Sequence, residues 1–330
     1  MAKTIKFVII GSGNIAKTYV KAIQKIDSAE LVGIVSTKLS ASANFSHLPS
    51  FHSLQEINLD FDAIIICTPN GYHHVSAIEA ANLGKHVLCE KPIGITLESI
   101  DKMIESCREN HVKLGVAYQR RFSSDNPTIK KLIDGGKLGK IFSVDLAVKN
   151  YRDNNYYNSA DYRGTYKIDG GGPFMQQASH YIDLYYWFFG KPRRLISQLA
   201  TFAHDIEVED HGAAICLHDS GMIGTITAST ATKPGFPAKM EIYSNKGYLI
   251  LENDVITHWG IEGLENPSNQ QLNKNMHTGA ATASVEDTSN HEIILNDFIE
   301  SIKTGREPLI TGESARNATE IILDIYNNQF

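Results

Sequence analysis

Short apolar runs, each followed by a turn and then a helix-like segment, fill the first third of the chain. Residues 6–10 (KFVII) are followed by Gly11-Ser12-Gly13-Asn14-Ile15-Ala16, and KTYVKAIQKI then shows helical periodicity. Residues 31–35, 63–67 (AIIIC) and 86–89 (HVLC) repeat the apolar run. HVSAIEAANLGK, which stops at Gly84, and a stretch at about 97–109 read as helices, and KLGVAY reads as one more strand. Continuous apolar strands that alternate with helices predict a doubly wound parallel sheet with both faces covered.

The pattern changes after residue 122. A helix over about 126–134 ends in Gly135-Gly136, and residues 141–149 alternate with period two. RRLISQLATF, GAAICLH, GMIGTITAS, AKMEIYS and GYLILE then read as a large, mostly antiparallel sheet with one open face. One central helix is expected over 174–189, a polar loop over 259–288, and two final helices over about 290–303 and 313–327. The expected architecture is α/β, with a dinucleotide-type domain over 1–121 and an α+β substrate domain over 122–330. The open face predicts a homodimer or homotetramer.

Composition changes this picture little. The chain has 330 residues, 42% hydrophobic and 21% charged, with a net charge of −6, which suits two domains with real cores. That charge gives no reason to expect nucleic acid as a partner, and no apolar run is long enough to span a membrane. MAKTIKFVII enters a strand with no cleavage site, so no signal peptide is expected, and the cysteines are expected as buried free thiols in a reducing cytoplasm. Cys67, Cys89, Cys107 and Cys216 are too dispersed for a metal knuckle or redox pair, and no metal is expected.

Candidate chemistry sits at the strand exits. In an open parallel sheet, ligands bind at the carboxyl ends of the strands. The turn Gly11-Ser12-Gly13-Asn14-Ile15, between a strand and a helix, has the order of a dinucleotide fingerprint. The helix start there can bind pyrophosphate. An acid at the end of the second strand would hold ribose hydroxyls. Ser36-Thr37-Lys38 stands there instead, which leans from NAD toward NADP. Thr68, Pro69, Asn70 and His73 form the next exit, although His73 also suits an ordinary helix start. Glu90-Lys91-Pro92 ends HVLC, and an apolar strand has no structural need of that charged pair. Lys91 is therefore expected at the mouth of a cofactor crevice, with Glu90 and Arg120 among the cofactor contacts.

In the second half, the tyrosine-rich stretch 151–166 makes a poor core and a good surface for sugar rings. Tyr157, Arg152 and Arg163 are its candidates, Arg163 for substrate or cofactor anions. Asp169-Gly170-Gly171-Gly172-Pro173 then starts a helix with no side chains in a ligand's way. Wound at about 100° per residue, the helix puts Gln176, His180, Asp183 and Trp187 in one stripe. His180 is the natural general base. Gln176 can hold a substrate hydroxyl, and Asp183 can orient the imidazole or bond a neighbour.

GSGNIA, CTPNGYHH, GKHVLCEKPIG, GGGPFMQQASHYIDL and NDFIESIKTGREP together make the chain resemble the Gfo/Idh/MocA family of oxidoreductases over nearly its whole length. The resemblance implies a Rossmann domain, a second domain whose open sheet makes oligomers, and hydride exchange between NAD or NADP and a sugar, cyclitol or nucleotide sugar. Lys91 resembles the family's catalytic lysine and His180 its catalytic histidine. Gln176 departs from the Asp of many members, leaving the proton work to Lys91 and His180. With Arg163-Gly164-Thr165, it is similar to the branch acting on UDP-N-acetylglucosaminuronate. Two alternatives remain: a keto-sugar reductase using NADPH, and a nucleotide sensor that has lost catalysis.

Overall fold

The computed structural model describes residues 3–37, 45, 48–268 and 287–330, and the chain divides into two compact units. The first runs to Gln119 and takes back a later segment that ends at Arg316; the second holds the residues from Arg120 onward and those from Asn317 to Phe330. Residues 287–316, expected in the second domain, thus belong to the first unit.

The first unit begins with β1 (Ile5–Ile10), α1 (Asn14–Ile23), β2 (Ala29–Val35), the short edge strand β3 (Ser50–Phe51) and β4 (Ala63–Ile66). Then come α2 (His73–Asn82), β5 (His86–Cys89), α3 (Leu97–Glu109) and β6 (Leu114–Val116). The strands pair in parallel in the order β3-β2-β1-β4-β5-β6. Phe7, Ile9, Ile64, Ile65, Val87 and Leu88 are buried, as a sheet with both faces covered requires. The chain reverses between β1 and β4, so the carboxyl ends of these neighbours open a crevice. The sheet is of the doubly wound, Rossmann type.

The second unit contains α4 (Asn126–Asp134), β7 (Ile141–Lys149), the single turn α5 (Asn154–Tyr157), α6 (Pro173–Gln176), α7 (Ser179–Phe189) and β8 (Arg194–Ala200). It continues with β9 (His211–Leu217), β10 (Ile223–Ser229), β11 (Lys239–Ser244), β12 (Gly247–Glu252) and β13 (Val255–Ile261). These form a seven-stranded sheet, order β13-β12-β11-β7-β10-β9-β8. Only β7 and β10 pair in parallel. Val144, Leu146, Ile226 and Met240 point to a core shared with Ile182 and Tyr185 of α7. The core also holds Ile321, Ile322 and Ile325, which lie in the last helix, α9 (Gly312–Asn327); the helix before it is α8 (Ser289–Thr304). On the other face Ile215 and Ile223 are about half exposed, at 51% and 53%.

Two expectations change here. β13 occupies the start of the stretch read as loop, because Tyr248 and Leu249 pair with Gly260 and Trp259; residues 269–286 lie outside the described residues. The single helix expected over 174–189 is two. Ala178 N–H reaches back five residues to the Pro173 carbonyl, and Tyr181 and Ile182 restart from Ala178. The extra residue in that turn breaks the 100° winding, so the predicted stripe is not one continuous face.

Candidate functional site

The candidate residues divide into two groups, one in each unit. In the first, Gly11 has φ +106°, and a Cβ there would press on the Cys67 carbonyl at 2.6 Å, so only glycine lets β1 turn this close to β4. Gly13, at the N-cap of α1, has open space around it and no side chain caps the helix. The first N–H groups of α1 are thus left for an anion. Asn14 is exposed, Ile15 half-buried and Ala16 fully buried. The Ser12 and Ser36 hydroxyls bond at 2.8 Å, tying the glycine turn to the end of β2. Thr37 is exposed, and Lys38 lies outside the described residues.

At the end of β4, Thr68, Pro69 and Asn70 are half-buried, and Thr68 Oγ1 is buried with no hydrogen-bond partner. An orphaned hydroxyl beside an uncapped helix start and an open glycine fits a bound dinucleotide. His73 is not a solvated helix start. It is 1% exposed, with Nδ1 2.9 Å from the Pro92 carbonyl and Nε2 2.9 Å from the Thr68 carbonyl. It clamps the turn after β4 to the turn after β5. Burial pulls its pKa below the ordinary value, against the opposing pull of the two carbonyls. The neutral ring that burial favours donates to one carbonyl at a time.

Glu90, expected at the cofactor, is turned inward. The buried Tyr19 hydroxyl donates to Oε1 at 2.7 Å, and the Lys91 N–H donates to Oε2 at 3.1 Å. Its carboxylate fixes the backbone of the residue that follows. Lys91 is half-buried and joined to Pro92 by a cis peptide. Burial also pushes the Cys67 and Cys89 thiols well up, which removes them as nucleophiles.

In the second unit Gln176 and His180 are half-buried. The Gln176 amide donates to the Asp169 carbonyl at 2.6 Å. Asp183 is not exposed. It is fully buried, and both its oxygens accept from Arg121, Nε at 2.8 Å and a terminal nitrogen at 2.5 Å. Burial raises its carboxyl pKa against the pull of that guanidinium. Of the two readings of Asp183, the ion pair with Arg121 is the bond to a neighbour. Tyr157 is likewise 9% exposed, with its hydroxyl 2.7 Å from Thr230 Oγ1 and its phenol pushed up by burial to about 12. Its hydroxyl is therefore engaged with the protein's own Thr230.

Arg152 and Arg163 do come together. Their guanidinium carbons stand 5.3 Å and 4.3 Å from the Tyr156 ring centre. The backbone of Arg152 is held from behind: His204 Nε2 is 2.9 Å from the Arg152 carbonyl, and Nδ1 is 2.9 Å from Asp210. Asp210 also accepts the N–H groups of Phe202, Ala203 and His204. Arg120, expected at the cofactor, pairs with Asp254 and lies 4.3 Å from the Tyr181 ring centre. The triple glycine is not cleared for a ligand. Cβ atoms at Gly171 and Gly172 would overlap Tyr326 and Glu209, so the glycines admit the protein's own groups. Glu209 and Asp210 were missed, although two acids directly before an apolar strand were a visible signal. Among the described residues no three His, Cys, Asp or Glu side chains stand together as a metal site.

A parallel sheet with this glycine turn is the frame of a dinucleotide-dependent oxidoreductase. Residues 5–118 match the oxidoreductase family with an NAD-binding Rossmann fold, and residues 127–250 match the GFO/IDH/MocA C-terminal domain. The chain belongs to the Gfo/Idh/MocA family and is an NAD(P)-dependent oxidoreductase. It is similar to the WlbA dehydrogenase of Bordetella pertussis, solved with NADH and UDP-GlcNAcA. The identity is 30% and the TM-score 0.88, over 99% of this chain and 96% of that one. It is 26% identical to inositol 2-dehydrogenase of Rhizobium meliloti (strain 1021) over 76% of each chain. It is 27% identical to scyllo-inositol 2-dehydrogenase (NADP(+)) IolW of Bacillus subtilis (strain 168), over 63% of this chain and 58% of that one.

Proposed function

We propose that the protein oxidises a ring hydroxyl of a nucleotide-linked sugar acid such as UDP-GlcNAcA, with Lys91 and His180 as the reacting side chains. The observation that carries the substrate class is the pair of guanidinium groups at Tyr156, since two forks beside one aromatic ring suit an anionic sugar. Similarity over 99% of the chain to an enzyme solved with UDP-GlcNAcA supports the same reading.

A bound nicotinamide supplies the hydride acceptor. The His180 imidazole takes the proton of the reacting hydroxyl. The Lys91 ammonium donates to the same oxygen and stabilises the charge that develops on it. The turn that carries Lys91 is held by Glu90 from within and by His73 from the side, which fixes the backbone from which the ammonium extends. Gln176, an amide, can hold a hydroxyl but does not ionise, so it takes no part in proton transfer. The test is reduction of NAD⁺ followed with UDP-GlcNAcA and, in parallel, with neutral inositols. Turnover of the sugar acid in preference to inositols supports the reading, and inositol turnover alone would sink it.

The end of β2, with Ser36 and Thr37 in place of an acid, supports acceptance of NADP as well as NAD. Equilibrium dialysis against both cofactors tests this, and failure to bind NADP refutes it. No helix among the described residues is long and apolar enough to cross a membrane. The four buried free thiols suit a reducing cytoplasm. The half-exposed Ile215 and Ile223 support pairing of the open sheet face with a second copy.

A further inference from the structure

Three segments of the second unit meet at the carboxylate of Glu209, which stands just before β9 and is 3% exposed. Its Oε2 accepts the backbone N–H of Gly172 at 3.1 Å, and Oε1 accepts that of Phe174 at 3.4 Å. The Tyr326 hydroxyl of α9 donates to Oε1 at 3.0 Å. No side chain of the turn itself caps α6, so the Glu209 carboxylate does so from 37 residues away. The fit is steric as well as polar. A Cβ on Gly172 would overlap the Glu209 carbonyl oxygen, and one on Gly171 would overlap the Tyr326 hydroxyl. The glycine turn, the acid and the phenol are therefore one packed assembly, and Gln176 and His180 follow directly from it.

We propose that Glu209 and Tyr326 are positioning residues for His180: they fix the glycine turn from which its helical segment starts, and their hold on that turn follows the protonation of Glu209. This rests on His180 being the reacting base. The groups around the carboxylate are Tyr326 of α9, Tyr166 and Tyr157 of the tyrosine loop, and Glu207 and Asp210 of its own connection. Asp169 precedes the glycines, His204 is bonded to Asp210, and α6 itself carries no charged side chain. Among the described residues, no lysine or arginine donates a hydrogen bond to Glu209. Burial therefore raises its carboxyl to about 7, with the donated hydrogen bonds acting against the rise. Ionised, it accepts from all three donors. Protonated, it loses its charge and one oxygen gains a hydrogen that it must itself donate, so the carboxyl holds the main-chain N–H groups less strongly. Tyr326 stays a donor throughout, since burial and Glu209 hold its phenol well above the ordinary value.

The test compares the wild type with Glu209→Gln, Tyr326→Phe and His180→Ala, all as full chains. Ring signals of ¹³C-labelled histidine are followed across neutral pH, the His180 signal being assigned by its loss in His180→Ala. NAD⁺ reduction with UDP-GlcNAcA and NADH affinity are measured alongside. In the wild type the His180 signal should show an inflection near neutrality that belongs to Glu209. That inflection should vanish in Glu209→Gln and shift in Tyr326→Phe. In both variants kcat should fall about tenfold to a hundredfold, a cost typical of a misplaced reacting group, with NADH affinity within about twofold of wild type. If Glu209→Gln does not fold, Tyr326→Phe decides. A His180 signal, titration and kcat unchanged in the variants, with His180→Ala inactive, would overturn this inference and leave the proposed function standing. Full turnover by His180→Ala would instead defeat that function, and this inference with it.

Discussion

The crevice end of the first unit and the glycine-to-helix segment of the second use buried polar groups in opposite ways. In the first, the anchoring groups lie close to the turn they hold: Glu90 bonds the next residue's N–H, and His73 bonds Thr68, 5 residues before it, and Pro92, 19 residues after it. In the second, the anchors arrive from far along the chain. Glu209 caps Gly172, Tyr326 completes that cap, and Arg121 pairs with Asp183 from 62 residues away. Local anchoring lets a strand exit be read as a motif. Remote anchoring turns residues that look like ligand surface into the protein's own support.

The largest expected effect falls on the two reacting side chains. Lys91→Met and His180→Ala should each lower turnover by about a hundredfold to ten-thousandfold, the range for acid–base groups, while NADH affinity is kept. Steady-state rates beside fluorescence binding check this, and near-normal rates in either variant would break the assignment.

Arg121→Met tests the remote anchor. It strands a buried Asp183 carboxylate and should cost about 3–5 kcal/mol in denaturant unfolding. Adding Asp183→Leu should recover most of that loss. A substrate role for Asp183 predicts instead little loss of stability in the single variant and lost sugar affinity in the double.

Glu209 gives the comparison a pH axis. Its folded value of about 7 lies above the ordinary 4.5, so the folded protein keeps a proton that the unfolded chain gives up. The stability it contributes is full below about pH 4.5 and is lost as pH rises through about 7, by about 3 kcal/mol in all. The slope between those limits, measured by urea unfolding, should be shallower in Glu209→Gln; an unchanged slope contradicts the raised value. His73→Ala, the local anchor, should cost less, about 1–3 kcal/mol, by leaving a buried carbonyl without its donor. Smallest for the fold itself is Ile215→Lys with Ile223→Lys on the open face. Light scattering should show monomers with little change in unfolding, and an intact oligomer would refute pairing through that face.

The first unit was the more legible from sequence. Its apolar strands are continuous, and Gly11 marks a contact with Cys67 that admits no side chain. Even there, Glu90 was read outward because nothing nearby announces Tyr19, 71 residues earlier, as its partner. The second sheet was readable by its period-two alternation, and α7 was not. Its winding assumed an unbroken helix, and the bond from Ala178 to Pro173 shifts the phase. Tyr157 and Asp183 looked polar and available because the groups that take them, Thr230 and Arg121, are distant in the chain.

The most direct test of the account is a crystal structure of the protein with NADH and UDP-GlcNAcA bound together. Lys91 Nζ and a ring nitrogen of His180 should both lie within hydrogen-bonding reach of one sugar hydroxyl. A sugar whose reacting oxygen meets neither side chain, or only one of them, would contradict it.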